Sequence, residues 1–312
     1  MRNLAWSVMV LVLTSSAAMA QVPAQGTGLA NPAITPAMAA ALTAEPATAE
    51  AAADDQAAAP APPPKRATLT AGADFPTAYM FRGIFQEDEG FIFQPWVDLG
   101  LSLYSGKGSL SAINANVGNW NSVHSGPSGD ELHNGSWYEA DIYGSVTFTF
   151  GKFKPGLLFT DYTSPNDGFH DVQELAGVFT YDDSGTKFPL NPKVVLAFEL
   201  GDGEADGGTN KGTYLEMGVR PSIKLGKSPA SIAIPAKIGL SVHDYYEGVN
   251  GSDTFGYFDL GGILGVTLPS TGKVGWEVHG GVDFLWLGDN LKFLNHDDGF
   301  KPVGTIGFSI TY

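Results

Sequence analysis

The chain contains no cysteine, which excludes disulfides, thiolate metal sites and cysteine nucleophiles and leaves stability to backbone pairing and packing. It is also poor in basic residues: 17 Lys and Arg stand against 33 Asp and Glu, a formal net charge of −16. A surface of that sign lacks the clustered cations that bind phosphate, so nucleic acid is not expected as a partner. Nor does any apolar run reach the roughly 20 residues that a membrane-crossing helix requires. Beyond Arg66 no amphipathic helical period is found either, which argues against a helical bundle.

What is present divides the chain in three. Residues 1–20 carry Arg2, an apolar run over residues 4–13 and the small-x-small end Ala18-Met19-Ala20, the pattern of a cleavable secretory signal. Residues 21–66 are dominated by Ala and Pro, as in Ala58-Ala59-Pro60-Ala61-Pro62-Pro63-Pro64, and read as a disordered periplasmic linker with nothing large to bury. In residues 1–66 the charges Arg2, Lys65 and Arg66 nearly balance Glu45, Glu50, Asp54 and Asp55. The acidic surplus therefore belongs to residues 67–312, the folded unit.

That unit reads as twelve extended runs with period-two alternation, at residues 67–83, 91–104, 109–120, 137–150, 153–163, 172–181, 193–200, 213–225, 231–245, 254–268, 274–286 and 302–312. In the eleventh, Trp276, Val278, Val282, Phe284 and Trp286 oppose Glu277, His279 and Asp283. In the fourth, Tyr138, Ala140, Ile142, Val146 and Phe148 oppose Glu139, Asp141, Tyr143, Ser145 and Thr147. One face of each run stays clear of charge over most of its length, as a lipid-facing surface demands, because a Lys or Arg near the bilayer midplane costs about 2–4 kcal/mol. Connections alternate between short, Lys-bearing turns such as 151–152 and longer loops rich in Gly, Asn and acids, such as 84–90 and 201–212. This is the division between periplasmic turns and external loops. The fold class expected is all-β: a transmembrane, antiparallel, up-and-down β-barrel of about 12 strands in the bacterial outer membrane.

The last strand adds an assembly signal. Ile306, Phe308, Ile310 and the terminal Tyr312 alternate with Thr305, Gly307, Ser309 and Thr311, so one face is apolar and ends in an aromatic. The strand is expected to close against residues 67–83 and to be read by the barrel assembly machinery.

The segment Thr77-Ala78-Tyr79-Met80-Phe81-Arg82-Gly83, followed by Phe93-Gln94-Pro95, and the segment Trp137-Tyr138-Glu139-x-Asp141 resemble a group of porin-like Gram-negative outer-membrane β-barrel proteins without an assigned activity. The resemblance is specific over residues 67 to about 165 and architectural thereafter. It implies the barrel and brings no site residues.

The inner face of the expected barrel collects Asp74, Arg82, Asp98, Glu139, Asp141, Glu174, Glu199, Glu216, Arg220, Lys237, Asp259, Glu277, His279 and Asp283. With acids in excess, the expected function is a passive channel with a narrow acidic lumen that favours small cations or neutral solutes. The alternative is a non-conducting structural or surface-interaction barrel whose lumen is filled by paired side chains. Arg82 is placed near the outer mouth. Outer-membrane lipid and lipopolysaccharide are the expected surroundings, with divalent cations bridging the acidic outer loops. No protein metal centre or cofactor is expected: Asp202-Gly-Glu204-Ala-Asp206-Gly207 begins like an EF-hand loop but has Thr213 where the bidentate Glu belongs. Catalysis is not expected either. His243-Asp244 and His296-Asp297 are the candidate His and acid neighbours near the outer rim, adjacent strand residues point to opposite faces, and no G-x-S-x-G element occurs.

Overall fold

The structure is a computed structural model that describes residues 67–126, 135–249, 251–270 and 273–312. The signal segment at 1–20 and the linker at 21–66 lie outside the described residues.

Alternating small polar and apolar side chains give a helix no continuous stripe to bury, and the chain forms strands instead. The barrel strands are β1 (Ala67–Pro76), β2 (Ile92–Ser105), β3 (Leu110–His124), β4 (Trp137–Phe150), β5 (Phe153–Thr163) and β6 (Val172–Tyr181) in the first half. The second half has β7 (Lys193–Leu200), β8 (Thr213–Val219 with Ser222–Lys224), β9 (Ala230–Ala233 with Ala236–His243), β10 (Phe255–Leu268), β11 (Gly275–Leu287) and β12 (Phe300–Thr311). β8 and β9 are each interrupted at a proline, Pro221 and Pro235, which has no N–H to give the ladder. Every strand pairs antiparallel with its neighbours in sequence, and β12 returns to β1 in the register Thr70↔Thr311 to Pro76↔Thr305. The result is a closed 12-stranded barrel without a free edge.

Outward positions are apolar and exposed, among them Ile142, Leu157, Phe179, Met217, Trp276 and Trp286. On β12, Ile306, Phe308 and Tyr312 are 39%, 37% and 56% exposed on this outer surface. Two outward polar residues near the long-loop end, Asn119 and Asn121, are satisfied locally: Asn119 donates to the Asp141 carbonyl at 2.7 Å, Asn121 to Asn119 at 2.6 Å, and Trp137 to Asn121 at 3.1 Å.

The sequence reading needs correction at four places. The first run is not one strand to residue 83: β1 stops at Pro76, and Tyr79–Phe81 and Ile84–Glu87 form a separate two-stranded hairpin. Ile84–Glu87, expected to lie in an external loop, is the second arm of that hairpin. Tyr138, expected on the apolar outer face, is buried and stacks on His124 with ring centroids 4.8 Å apart, because the β3–β4 register shifts between Ser122 and Val123. The connection after β11 contains a short helix, α1 (Asp289–Leu294), where only loop was expected.

The seam between β1 and β12 ends in a reciprocal backbone pair, Tyr312 N–H to the Leu69 carbonyl at 2.8 Å and Leu69 N–H to the Tyr312 carbonyl at 3.1 Å. Deleting Tyr312 removes both bonds and one exposed aromatic. We expect a lower yield of the folded barrel in a refolding assay and in membrane fractions, and an unchanged yield would count against the seam as the step that closes the fold.

Candidate functional site

Inward positions converge on the lumen, and the hairpin within the connection 77–91 folds into it. The hairpin tip is Arg82-Gly83, with φ of 44° and 85°. Positive φ at both central residues is the two-residue turn whose twist matches its strands. Glycine is required at the second position on two grounds, since a Cβ at Gly83 would also stand 2.5 Å from a Leu291 methyl. Arginine at the first is unusual, and its side chain explains its presence.

Arg82 is 2% exposed, and its Cζ lies over the ring of Tyr214, 4.0 Å from the centroid. Its two terminal nitrogens donate to both oxygens of Glu174 on β6, at 2.6 and 2.8 Å. One of them also reaches the Tyr245 hydroxyl, and Tyr246 donates to the Arg82 carbonyl at 2.9 Å. A planar fork meeting a carboxylate two-fold is the geometry in which a buried pair recovers most of its desolvation cost. Around it Met80, Phe81, Ile84 and Phe85 pack against Leu158, Ala176, Val178, Val195 and Ala197 from the barrel wall and Leu291 from α1. The middle of the lumen is therefore a hydrophobic core with one ion pair at its centre. The sequence reading of Arg82 as a strand residue near the outer mouth is corrected accordingly.

The other candidates divide by depth. Asp74 accepts from Trp96 at 3.2 Å and meets His279 at 2.7 Å. Asp98 accepts from Asn116 at 2.7 Å and Tyr143 at 3.1 Å. Glu199 takes the N–H groups of Ala205 and Gly212, at 2.7 and 2.6 Å. Glu216 takes the hydroxyls of Tyr214 and Tyr257 and stands 3.8 Å from Lys193. Asp259 pairs with Lys237 at 3.3 Å, and Asp283 adjoins it. Glu139 and Asp141 sit side by side at 0% exposure, with Tyr79 of the hairpin donating to Glu139 at 2.7 Å. Only Arg220 and Glu277 face open solvent, at the short-turn end, where Lys224 is also exposed. Most of the carboxylates are thus held by donors from neutral side chains and backbone. The sequence reading missed those donors, Tyr79, Trp96, Asn116, Tyr143, Tyr214 and Tyr257, because aromatic and amide residues at inward positions carry no charge signal.

At the long-loop end a second layer closes the barrel. Asp206 accepts the N–H groups of Glu247 and Gly208, at 2.5 and 2.8 Å, and burial pushes its carboxyl up to about 7. Burial acts to raise Glu247 too, but hydrogen bonds from the backbone and side chain of Asn210 and from Thr209 N–H hold it below the usual carboxylate range. Of the residues resembling an EF-hand start, Asp206 is spent on these loop contacts and Glu204 on a pair with Lys211 at 2.6 Å. Among the described residues no group of three or more His, Asp or Glu is placed to hold a metal ion.

Besides His279 with Asp74, two His contacts among the described residues have a nucleophile or acid partner. Ser122 Oγ lies 2.7 Å from His124 Nε2, and both are buried, Ser122 at 0% and His124 at 2%. His243 Nδ1 stands 3.4 Å from Asp244, a contact the strand geometry seemed to forbid; Asp244 has left the strand with φ of 36°. His296 packs its ring edge on Phe85.

No protein-family model matches the chain, and no curated protein does. Among solved structures, the NanC porin is similar with a TM-score of 0.41 at 10% identity, over 78% of this chain and 98% of that one. The translocator domain of the autotransporter NalP from Neisseria meningitidis gives 0.39 at 11% identity, over 80% and 88% of the two chains. The transport unit of the autotransporter AIDA-I from Escherichia coli gives 0.32 at 11% identity, over 79% and 89%. At such identities and scores none of them carries a function to this chain.

Removing one partner of a buried pair leaves the other charge bare, at a cost of about 3–5 kcal/mol. Arg82→Met and Glu174→Gln should each lower stability on that scale in denaturant unfolding of the folded barrel, and the double variant should lose much less than their sum. Additive losses would mean that the two side chains do not act as a pair.

Proposed function

We propose that the chain is an outer-membrane barrel shut by its own first external connection, and that its resting state does not conduct. The observation that carries this reading is the hairpin of residues 79–87: Tyr79, Met80, Phe81 and Ile84 are all at 0% exposure inside the lumen. The exposed apolar belt of the strands is the surface a bilayer requires, because so much uncovered hydrocarbon would aggregate in water. The acidic external loops then face the surroundings, where bridging of divalent cations to lipopolysaccharide is the proposed contact. The alternative weighed from the sequence, a sealed structural or surface-interaction barrel without enzymatic activity, thus takes precedence over the open acidic channel.

A gated passage is the second reading, favoured by one feature. The plug is latched by an ion pair and tyrosine hydroxyls rather than by apolar packing alone, and charged residues at the short-turn end, Arg220, Lys224 and Glu277, are exposed. Such a latch can release where a wholly apolar core cannot.

Planar-bilayer recording distinguishes these readings. The intact chain should be silent, and a variant with residues 79–87 replaced by a short Gly-Ser link should show steps with cation preference. Cation-selective steps from the intact chain at rest would restore the open acidic channel and overturn the sealed one.

A further inference from the structure

At the short-turn end the longest connection is 182–192, between β6 and β7, and it is held tightly by its own acids. Asp183 takes the N–H groups of Leu190 and Asn191, at 2.6 and 3.0 Å. Asp182 takes the N–H and hydroxyl of Ser184, at 3.0 and 2.6 Å, and stands 3.6 Å from Lys154. The Asp182 N–H donates to the Lys152 carbonyl at 2.8 Å, which joins the connection to the two-residue turn 151–152. Both acids are therefore turned to holding the shape, and the bases are what the joined turns present. Lys152 and Lys187 are exposed, and among the described residues neither forms an ion pair. Each lies by an aromatic ring instead: Lys152 Nζ is 5.9 Å from the Tyr181 centroid, and Lys187 Nζ is 5.4 Å from that of Phe188.

Those rings belong to an apolar shelf. Phe150, Phe153 and Tyr181 are cross-strand neighbours with exposed side chains, and Phe153 packs on Tyr181 with centroids 5.1 Å apart. Phe188 and Leu190 extend the shelf onto the connection, 70% and 48% exposed. Apolar side chains fixed in the open at the end of a lipid-facing wall are covered by hydrocarbon. Ammonium groups at the edge of that hydrocarbon lie at headgroup level.

We propose that the shelf holds one anionic phospholipid of the leaflet at the short-turn end, its headgroup phosphate met by Lys152 and Lys187 and its acyl chains along Phe150, Phe153 and Tyr181. Charge complementarity selects this occupant: a zwitterionic headgroup brings its own ammonium, which two lysines repel, whereas a net negative one meets attraction alone. The site depends on the bilayer-facing belt of the proposed barrel and not on a closed lumen, so lipid retention and bilayer recording can fail separately.

The test mixes the full chain, refolded in detergent, with phosphatidylglycerol or with phosphatidylcholine of the same acyl chains, and counts the lipids that stay bound by native mass spectrometry. One phosphatidylglycerol per chain should bind about thirtyfold more tightly than phosphatidylcholine, the attraction of two lysines to an anionic headgroup. The Lys152→Ser, Lys187→Ser double variant should bind both lipids alike while unfolding at the same denaturant concentration as the intact chain. A Lys107→Ser, Lys273→Ser variant, changed at two other short turns, should keep the full preference. Excess inorganic phosphate should not displace the lipid, because it has no acyl chains to lay on the shelf; displacement would reduce the site to a bare phosphate contact and overturn the proposal. Equal binding of the two lipids by the intact chain would overturn it, as would a preference that survives in the double variant.

Discussion

A guanidinium shut away from water inside a barrel needs an opposite charge, and the two-fold contact of the Arg82 terminal nitrogens with Glu174 is the interaction on which the interior depends. It ties residues 92 positions apart, one on an inserted hairpin and one on β6. For the pair to meet, the hairpin needs a tip with two positive φ angles, which Arg82-Gly83 provides, and a roof, which Tyr245 and Tyr246 provide from the connection after β9. The apolar side chains of the hairpin then fill the centre of the barrel as a consequence of where the charge is held. Without the pair the same hairpin would bury an unmatched charge, and a position outside the lumen would be favoured.

The rest of the lumen follows one rule, that an inward carboxylate is satisfied by a neutral donor or a base. Tyrosines do much of this: Tyr79, Tyr143, Tyr214 and Tyr257 each present a hydroxyl to an acid while the ring packs with its neighbours. A tyrosine suits a lumen that is partly core, since its body is apolar and its tip polar. The exceptions are informative. Arg220 and Glu277 are left to solvent at the inner end, where water can serve them, whereas both oxygens of Asp141 and both of Asp283 are buried without a donor.

The barrel was legible in the sequence because a strand with one lipid-facing side imposes charge-free alternation, and because closure places β12 against β1 at a register the two alternations share. The plug was not. Tyr79, Met80 and Phe81 continue directly from β1 and look like more of the same strand. The signal that does distinguish them is adjacency: Tyr79-Met80-Phe81 and Ile84-Phe85 are consecutive large apolar residues, all buried, which a wall with one wet and one greasy side cannot accommodate. The adjacent pair Tyr245-Tyr246 marks the roof in the same way. The inward acids were legible as a face, but whether each was free or satisfied depended on uncharged donors from distant strands, which no local pattern reveals.

The central claim is that residues 78–87 occupy the lumen, and the absence of cysteine makes it directly measurable. A single thiol placed at Ala78, which is 2% exposed, or at Val249, which is 85% exposed, is the only thiol in its chain. The folded barrel with Val249→Cys should react with a water-soluble maleimide at the rate of a free thiol, and Ala78→Cys should react at least about a hundredfold more slowly until the barrel is unfolded, because labelling requires the plug to leave. Equal rates for the two folded variants would place the hairpin in water and contradict the account.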